Sequence, residues 1–482
     1  MTAPAASPAA SVASGPAAGR ALRADLPFRH IALVLSGGGA LGAYEIGVLK
    51  VLERLALAPA LVAGVSSGAF NAVGWVAHGG RCAALERVWL ALRASNVGIR
   101  WVTLVVRVLG VLIILFALLE MFLTLAGSPE LGFPNLIGRR DAGRTFATSV
   151  GLDAAAWALV ASFGMAVIGL SRRVETWIAH ATPLSDPARW RLRPGYLLLV
   201  FAAVHMVTLV LALPWPHRFS ATALAFGFVA WLANRPGFGG GRMRTLLLRL
   251  LPEVGGRGLW GSAARRRVLE GLVAEGDAAR LTTGPTRLVI GALAVDTGRM
   301  CHFVSGFEPA PEYRTHIEAS LGEVIVVRDS AEVVHAAIAS SAMPGIFEPV
   351  PIGNRDFVDP GGFSNQPIHA AIVEGADAAI IVLLAPSSGP PPGRPARNLL
   401  ELGGRLLEIA NWRDLQFELR SLHAEWSRAS SPARVCVVEP REPLPGGVMD
   451  FSPGRAAELI RRGEEDAWAA LERSGWLAAA PV

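Results

Sequence analysis

The chain has 482 residues, a formal net charge of +6, a hydrophobic share of 52% and a charged share of only 17%, where soluble proteins carry about a quarter; part of it belongs in lipid. The surplus cations are almost all arginine, Lys50 being the only lysine, and they are scattered without a basic-aromatic module, which argues against nucleic acid and suits an anionic membrane surface. Cys82, Cys301 and Cys436 are far apart, odd in number and free of C-x-x-C spacing, which argues against a disulfide framework or a zinc site and fits a reducing compartment.

In chain order, residues 1–26 are rich in Ala, Pro and Ser, with no cationic stretch followed by an apolar one, so they read as a disordered tail and not as a signal peptide. Residues 27–99 carry the rhythm of an α/β sheet. The apolar run Ile31–Leu35 predicts a strand, Gly37-Gly38-Gly39-Ala40-Leu41-Gly42 a turn, and Ala43–Leu57 a helix. A second strand at Ala60–Ala63 meets Gly64-Val65-Ser66-Ser67-Gly68, and Ala69–Ala77 continues as a helix.

The rhythm breaks near Arg100. Residues 100–243 hold four apolar runs, Val108–Leu125, Ala154–Leu170, Tyr196–Leu213 and Phe219–Ala233, of 18, 17, 18 and 15 residues, at the lower edge of the roughly 17 to 25 that span a bilayer. Trp101, Trp177, Trp190 and Trp215 fall near run ends, and the loop Ser171–Gly195 carries five arginines. These features predict an all-α membrane insertion with that loop and both flanks cytoplasmic, although Arg139, Arg140 and Arg144 point the other way. Buried core helices or re-entrant hairpins are the competing reading of the same runs. The α/β pattern returns over residues 244–476, with strands at Leu288–Val295, Arg355–Val358, Ala378–Leu384 and Val435–Val438 and helices at Val333–Ser340, Leu399–Arg428 and Pro453–Ser474. An even number of spans lets the chain leave the sheet and come back to it, so one interrupted α/β domain is expected.

Gly64 to Gly68 is a Gly-x-Ser-x-Gly turn, which holds a serine hydroxyl exposed on a strained strand-to-helix elbow. Gly37, Gly38 and Gly39, without Cβ atoms, leave backbone N–H groups open to a ligand. The first turn also fits the dinucleotide fingerprint, but the next strand ends in Val62-Ala63-Gly64 and not in an acid. A phosphate loop is excluded, because no Lys-Ser or Lys-Thr follows the glycines. Asp359, directly after the strand Arg355–Val358, lies at a strand end, where a parallel sheet gathers its functional groups. A Ser-Asp-His triad through His369 or His335 stays open at this level.

Read together, these segments resemble the patatin-like phospholipases. That family has a Gly-Gly-Gly oxyanion loop, a Gly-x-Ser-x-Gly nucleophile, a Ser-Ala-x-Pro-x-x-Phe-x-Pro segment and an Asp-Gly turn, matched in order here by Gly37–Gly39, Gly64–Gly68, Ser341–Pro349 and Asp359. Val295–Gly298 and Asp450–Pro453 also look like family segments. The chain departs from the pattern at Leu41, where the family carries Arg or Lys, and at Pro360, where it carries Gly.

The resemblance implies a three-layer α/β sandwich with a mainly parallel central sheet, and a Ser-Asp dyad that needs no histidine, metal or organic cofactor. Ser66 would be the nucleophile, Asp359 the base and Gly37, Gly38 and Gly39 the oxyanion hole, with Gly64 and Gly68 shaping the elbow. The expected activity is hydrolysis of membrane lipid esters, of phospholipase A or lysophospholipase type. Acyl transfer to a second lipid, or a weakly active membrane scaffold or lipid-binding protein, are the alternatives. Arginine in place of lysine suggests a GC-rich bacterium, and hence an inner-membrane protein with its catalytic domain in the cytoplasm.

Overall fold

The computed structural model describes residues 21–23, 26, 28–125, 157–171, 173, 257–320, 322–372, 375–389, 399–426 and 434–478. They fall into two compact units, one of Met1–Val97, Ser262–Pro344 and Pro349–Val482 and the other of Gly98–Gly261 with Gly345–Glu348.

The first unit is built on a nine-stranded sheet. Its strands are β1 (Ile31–Leu35), β2 (Leu61–Val65), β3 (Arg287–Ala294), β4 (Met300–Ser305), β5 (Gly322–Val326), β6 (Val350–Ile352), β7 (Arg355–Val358), β8 (Ala378–Val382) and β9 (Arg434–Val438). The order is β5-β4-β3-β2-β1-β8-β9, with the β6–β7 hairpin attached to β3. β1 pairs in parallel with β2 and β8, β2 with β3, β8 with β9 and β4 with β5, so the sheet is mainly parallel. Among its strands β3–β4, β3–β7 and β6–β7 are antiparallel.

The central strands are apolar almost without interruption because both faces are covered. Ala32, Val34, Ala63, Val289, Ala379 and Ile381 lie in one cluster with Tyr313, Ile317, Ile368, Ala370, Leu415 and Leu422. Those six come from the helices Pro311–Ala319, Ile368–Ile372 and Leu399–Trp426. Helices α2 (Ser67–Ala77), Ser330–Ser340 and Pro453–Arg473 pack on the sheet as well, and α1 (Ala43–Arg54) and α3 (Ala83–Ala91) lie against Pro453–Arg473. The result is the expected three-layer arrangement.

Part of the segment expected to be a tail is structured. Ala478 N donates to Ala21 O and Arg23 N to Trp476 O, and nearby Phe28 packs its ring on Trp476, with centroids 4.5 Å apart. The remainder, residues 1–20, 24 and 25, lies outside the described residues.

In the second unit, α4 (Trp101–Leu125) covers the first apolar run and α5 (Trp157–Ser171) most of the second. The third and fourth runs, and the arginine loops around them, lie outside the described residues. Thr103–Phe122 is long and apolar enough to cross a membrane. This compact unit takes in Gly345–Glu348 besides Gly98–Gly261. The physical reason is local backbone pairing: Trp260 N donates to Ile346 O and Glu348 N to Trp260 O.

α4 and α5 touch at Gly110 and Gly164, where a Cβ on Gly110 would lie 2.9 Å from the Gly164 carbonyl oxygen. Such small-residue crossings suit helix pairs in lipid. The polarity of α4 runs inside out: Thr103, Arg107 and Glu120 are buried, whereas Val105, Val108, Leu112, Leu115, Leu118 and Phe122 are exposed. Arg107 Nε donates to Ser171 Oγ at 2.7 Å.

Candidate active site

The two glycine turns stand at the carboxyl ends of the neighbouring strands β1 and β2, which pair as Leu35 with Gly64. Ser66 sits between β2 and α2 (Ser67–Ala77) with φ 54° and ψ −119°. This left-handed conformation costs a non-glycine residue about 1–3 kcal/mol. The surroundings compel it: a Cβ on Gly64 would lie 2.5 Å from Gly68 O, and one on Gly68 would lie 2.4 Å from Leu35 O. Strand, elbow and helix are therefore too close for side chains at either glycine.

Asp359 follows β7, which is held against the end of β3 by pairing of Leu293 with Val358. Ser66 Oγ donates to Asp359 Oδ2 at 2.6 Å across 293 residues of sequence. Both are nearly sealed from solvent, at 5% and 4% exposure. The second carboxylate oxygen, Oδ1, accepts from Gly361 N at 2.8 Å. Burial pushes the Asp359 carboxyl up to about 6, against the hydrogen bonds from Ser66 and Gly361 and the positive charge of Arg265. An aspartate poised there stays ionised at neutral pH and accepts a proton more readily than an ordinary one.

Ser340 and the segment after it bring the pair together. Ser340 Oγ accepts from Ser66 N at 2.8 Å and donates to Gly291 O at 2.5 Å. Ala342 O accepts from Asp359 N at 2.9 Å. Arg265, buried on the helix Ala263–Glu275, donates through Nη1 to Ser341 O at 2.8 Å. Burial lowers its pKa to about 9, and the charge of Asp359 opposes that shift.

The glycine loop is clamped from both sides. Asn365 Nδ2 donates to Gly37 O at 2.7 Å, and Gly37 N donates to Asn365 O at 3.1 Å. Ala40 N donates to Val448 O at 2.8 Å. The Gly37 amide is thus engaged, which differs from the expectation that all three glycine amides face a substrate. Among the described residues, no acceptor meets the amides of Gly38 and Gly39. A Cβ on Gly37 would lie 3.1 Å from Ser66 Cβ, so the loop passes directly over the nucleophile.

The family model of the patatin-like phospholipases matches residues 33–372. The chain belongs to the patatin-like phospholipase family. Among solved structures, VipD from Legionella pneumophila is similar at a TM-score of 0.30 and 14% identity, over 92% of this chain and 67% of that one. No curated protein matches the chain. Membership places the chain among lipid acyl hydrolases.

Both departures from the patatin-like pattern are accommodated locally. Pro360 has no N–H, but its carbonyl accepts from Phe363 N at 2.7 Å and Ser364 N at 2.9 Å, and Gly361 supplies the amide that reaches Asp359. Leu41 lies in a short 3₁₀ turn, Gly39–Gly42, and its N–H donates to Gly38 O. No histidine ring is bonded to Ser66 or Asp359 among the described residues. His369 instead stacks on His316 with centroids 4.5 Å apart.

Beneath the Asp359 turn, two carboxyls of the helix Leu399–Trp426 face inward. Burial raises Asp414 to about 6, where Ser364 bonds to it. Burial and then the Asp414 charge raise Glu418 to about 7, and Glu418 accepts from His369 N at 3.3 Å. Between its ordinary value and 7 the folded state holds a proton that the unfolded chain has released, so stability falls as pH rises through that window. Glu418→Gln keeps an acceptor for His369 N without the charge. It is expected to stabilise the protein by on the order of 2–3 kcal/mol at pH 8 and to change little at pH 4.5. Thermal unfolding at both pH values checks this, and an equal shift at both contradicts it.

Proposed function

We propose that this protein is a membrane-bound serine acyl hydrolase that cleaves phospholipid or lysophospholipid esters through Ser66 and Asp359. The observation that carries the reading is the 2.6 Å hydrogen bond from a serine hydroxyl on a strained elbow to a buried aspartate. In the proposed reaction, Ser66 Oγ attacks the ester carbonyl carbon as its proton passes to Asp359 Oδ2. The amides of Gly38 and Gly39 receive the oxyanion, and Gly37, tied to Asn365, holds the loop in place. The tetrahedral adduct collapses, its C–O bond breaks, and the departing alcohol takes the proton from Asp359. Water then gives a proton to Asp359 as it attacks the acyl-enzyme, and Asp359 passes that proton to Ser66 Oγ as the acyl C–O bond breaks, which releases the fatty acid and restores both residues. No metal or organic cofactor enters these steps.

The membrane reading rests on α4. A long helix with large apolar side chains outward and Thr103, Arg107 and Glu120 inward has the polarity that lipid demands. Composition and arginine placement support an inner-membrane location with the catalytic unit on the cytoplasmic side.

The test uses detergent-purified wild type and Ser66→Ala on phospholipid vesicles, with a serine-reactive phosphonate probe. Wild type is expected to release fatty acid and take up the probe, and Ser66→Ala to do neither. Equal fatty-acid release by both proteins sinks the assignment. Alkaline carbonate extraction tests the membrane part, and complete release of the chain from membranes contradicts it.

A further inference from the structure

The glycine loop begins after Ser36 and ends at Gly42, and one buried cluster holds both ends. Glu45, in the first turn of α1 (Ala43–Arg54), is fully buried. Its Oε2 accepts from Asn71 Nδ2 at 2.8 Å, and the Ser36 backbone N–H is directed at the same carboxyl. Asn71 stands on α2, the helix that Ser66 caps. Its Nδ2 also donates to Gly42 O at 2.9 Å, while its Oδ1 accepts from Trp89 Nε1 at 2.7 Å. At Gly42 a Cβ would lie 2.6 Å from Ser67 Cβ. One carboxyl and one carboxamide thus fasten both ends of the loop to the elbow helix.

We propose that Glu45 is a positioning residue that sets the glycine-loop amides at the right distance from Ser66. This rests on the reading of Ser66 and Gly38–Gly39 given above. Burial pushes the Glu45 carboxyl well above the usual carboxylate range, more than the bonds from Asn71 and Ser36 pull it down. Its second oxygen, Oε1, has no partner among the described residues. A carboxylate would leave charge unsolvated there, whereas a neutral carboxyl costs far less. Oxyanion donors act only when they lie about 2.7–3.1 Å from the developing charge, and a misplacement of about 1 Å costs on the order of 10²-fold in rate.

Glu45→Gln keeps shape, neutrality and the acceptor for Asn71. It is expected to retain kcat within about threefold, with a pH profile superimposed on that of wild type. Glu45→Ala is expected to lower kcat about 30-fold or more, with KM within about threefold, and to slow phosphonate labelling of Ser66 in proportion. Asn71→Ala should act similarly, and the double variant should be no slower than the slower single one. Should Glu45→Ala yield no folded protein, Glu45→Leu carries the same test with nearly the original volume. Wild-type kcat in a folded Glu45→Ala or Glu45→Leu overturns the proposal, as does a Glu45→Gln protein as slow as Glu45→Ala. Ser66→Ala run in parallel keeps the two questions apart, because activity in that variant undoes the nucleophile assignment whatever the Glu45 variants show.

Discussion

Asp359→Asn is expected to lower kcat by about 10³- to 10⁴-fold with KM little changed. The wild-type carboxylate uses both oxygens as acceptors, Oδ2 for Ser66 Oγ and Oδ1 for Gly361 N. An asparagine has one acceptor and one donor for the same two positions. If its oxygen serves Gly361, its amide group meets Ser66 and the hydroxyl proton has nowhere productive to go. If the oxygen serves Ser66, two N–H groups face each other. In neither arrangement can the side chain take up a proton, so attack proceeds without a base and only the loop amides and binding remain. The pH profile supplies a second readout. Wild-type kcat should rise with pH through about 6, the value to which burial lifts Asp359, and the Asn variant's residual rate should lack that limb. Kinetics on a short acyl ester between pH 4.5 and 9 measure both, and an Asn variant retaining more than a tenth of wild-type kcat contradicts the base assignment.

The sequence displays the reacting groups more clearly than what holds them. Strand β1 was expected at Ile31–Leu35 and β7 at Arg355–Val358, and both stand there; β1 is legible because a short apolar run followed by glycines leaves few other conformations. The serine elbow is visible for a similar reason: two glycines four residues apart mark a backbone approach that side chains would block. The edge strand Gly322–Val326 and the hairpin strand Val350–Ile352 escape notice because they are short and only partly buried, and carry no clean alternation. Ser340 lies 274 residues from the amide it accepts, so nothing local distinguishes it from any helix-end serine. Arg265 opens a run of three arginines, and only the packing of the helix Ala263–Glu275 decides which of them is buried. The engagement of the Gly37 amide is equally invisible in sequence, because it depends on the close approach of Asn365 to the loop.

Arg265 therefore carries the second large effect. It is a buried cation within reach of the field of Asp359, joined to the segment Ser341–Ala342 whose next carbonyl accepts from the Asp359 amide. Removing a nearby opposite charge raises a buried carboxyl, commonly by about one to two pH units. Arg265→Met keeps the bulk of the side chain and deletes the charge. The acid limb should then move from about 6 toward 7 or 8, which leaves about half to a tenth of the wild-type rate at pH 7. By pH 9 most of Asp359 is ionised again, so the rate should recover, which separates an electrostatic role from collapse of the site. Arg265→Lys should restore most of the limb position while changing the bond to Ser341 O, because lysine keeps the charge without the planar fork. A variant depressed equally at every pH would mean that Arg265 acts through packing alone, with the ionisation of Asp359 set by burial and the amide of Gly361.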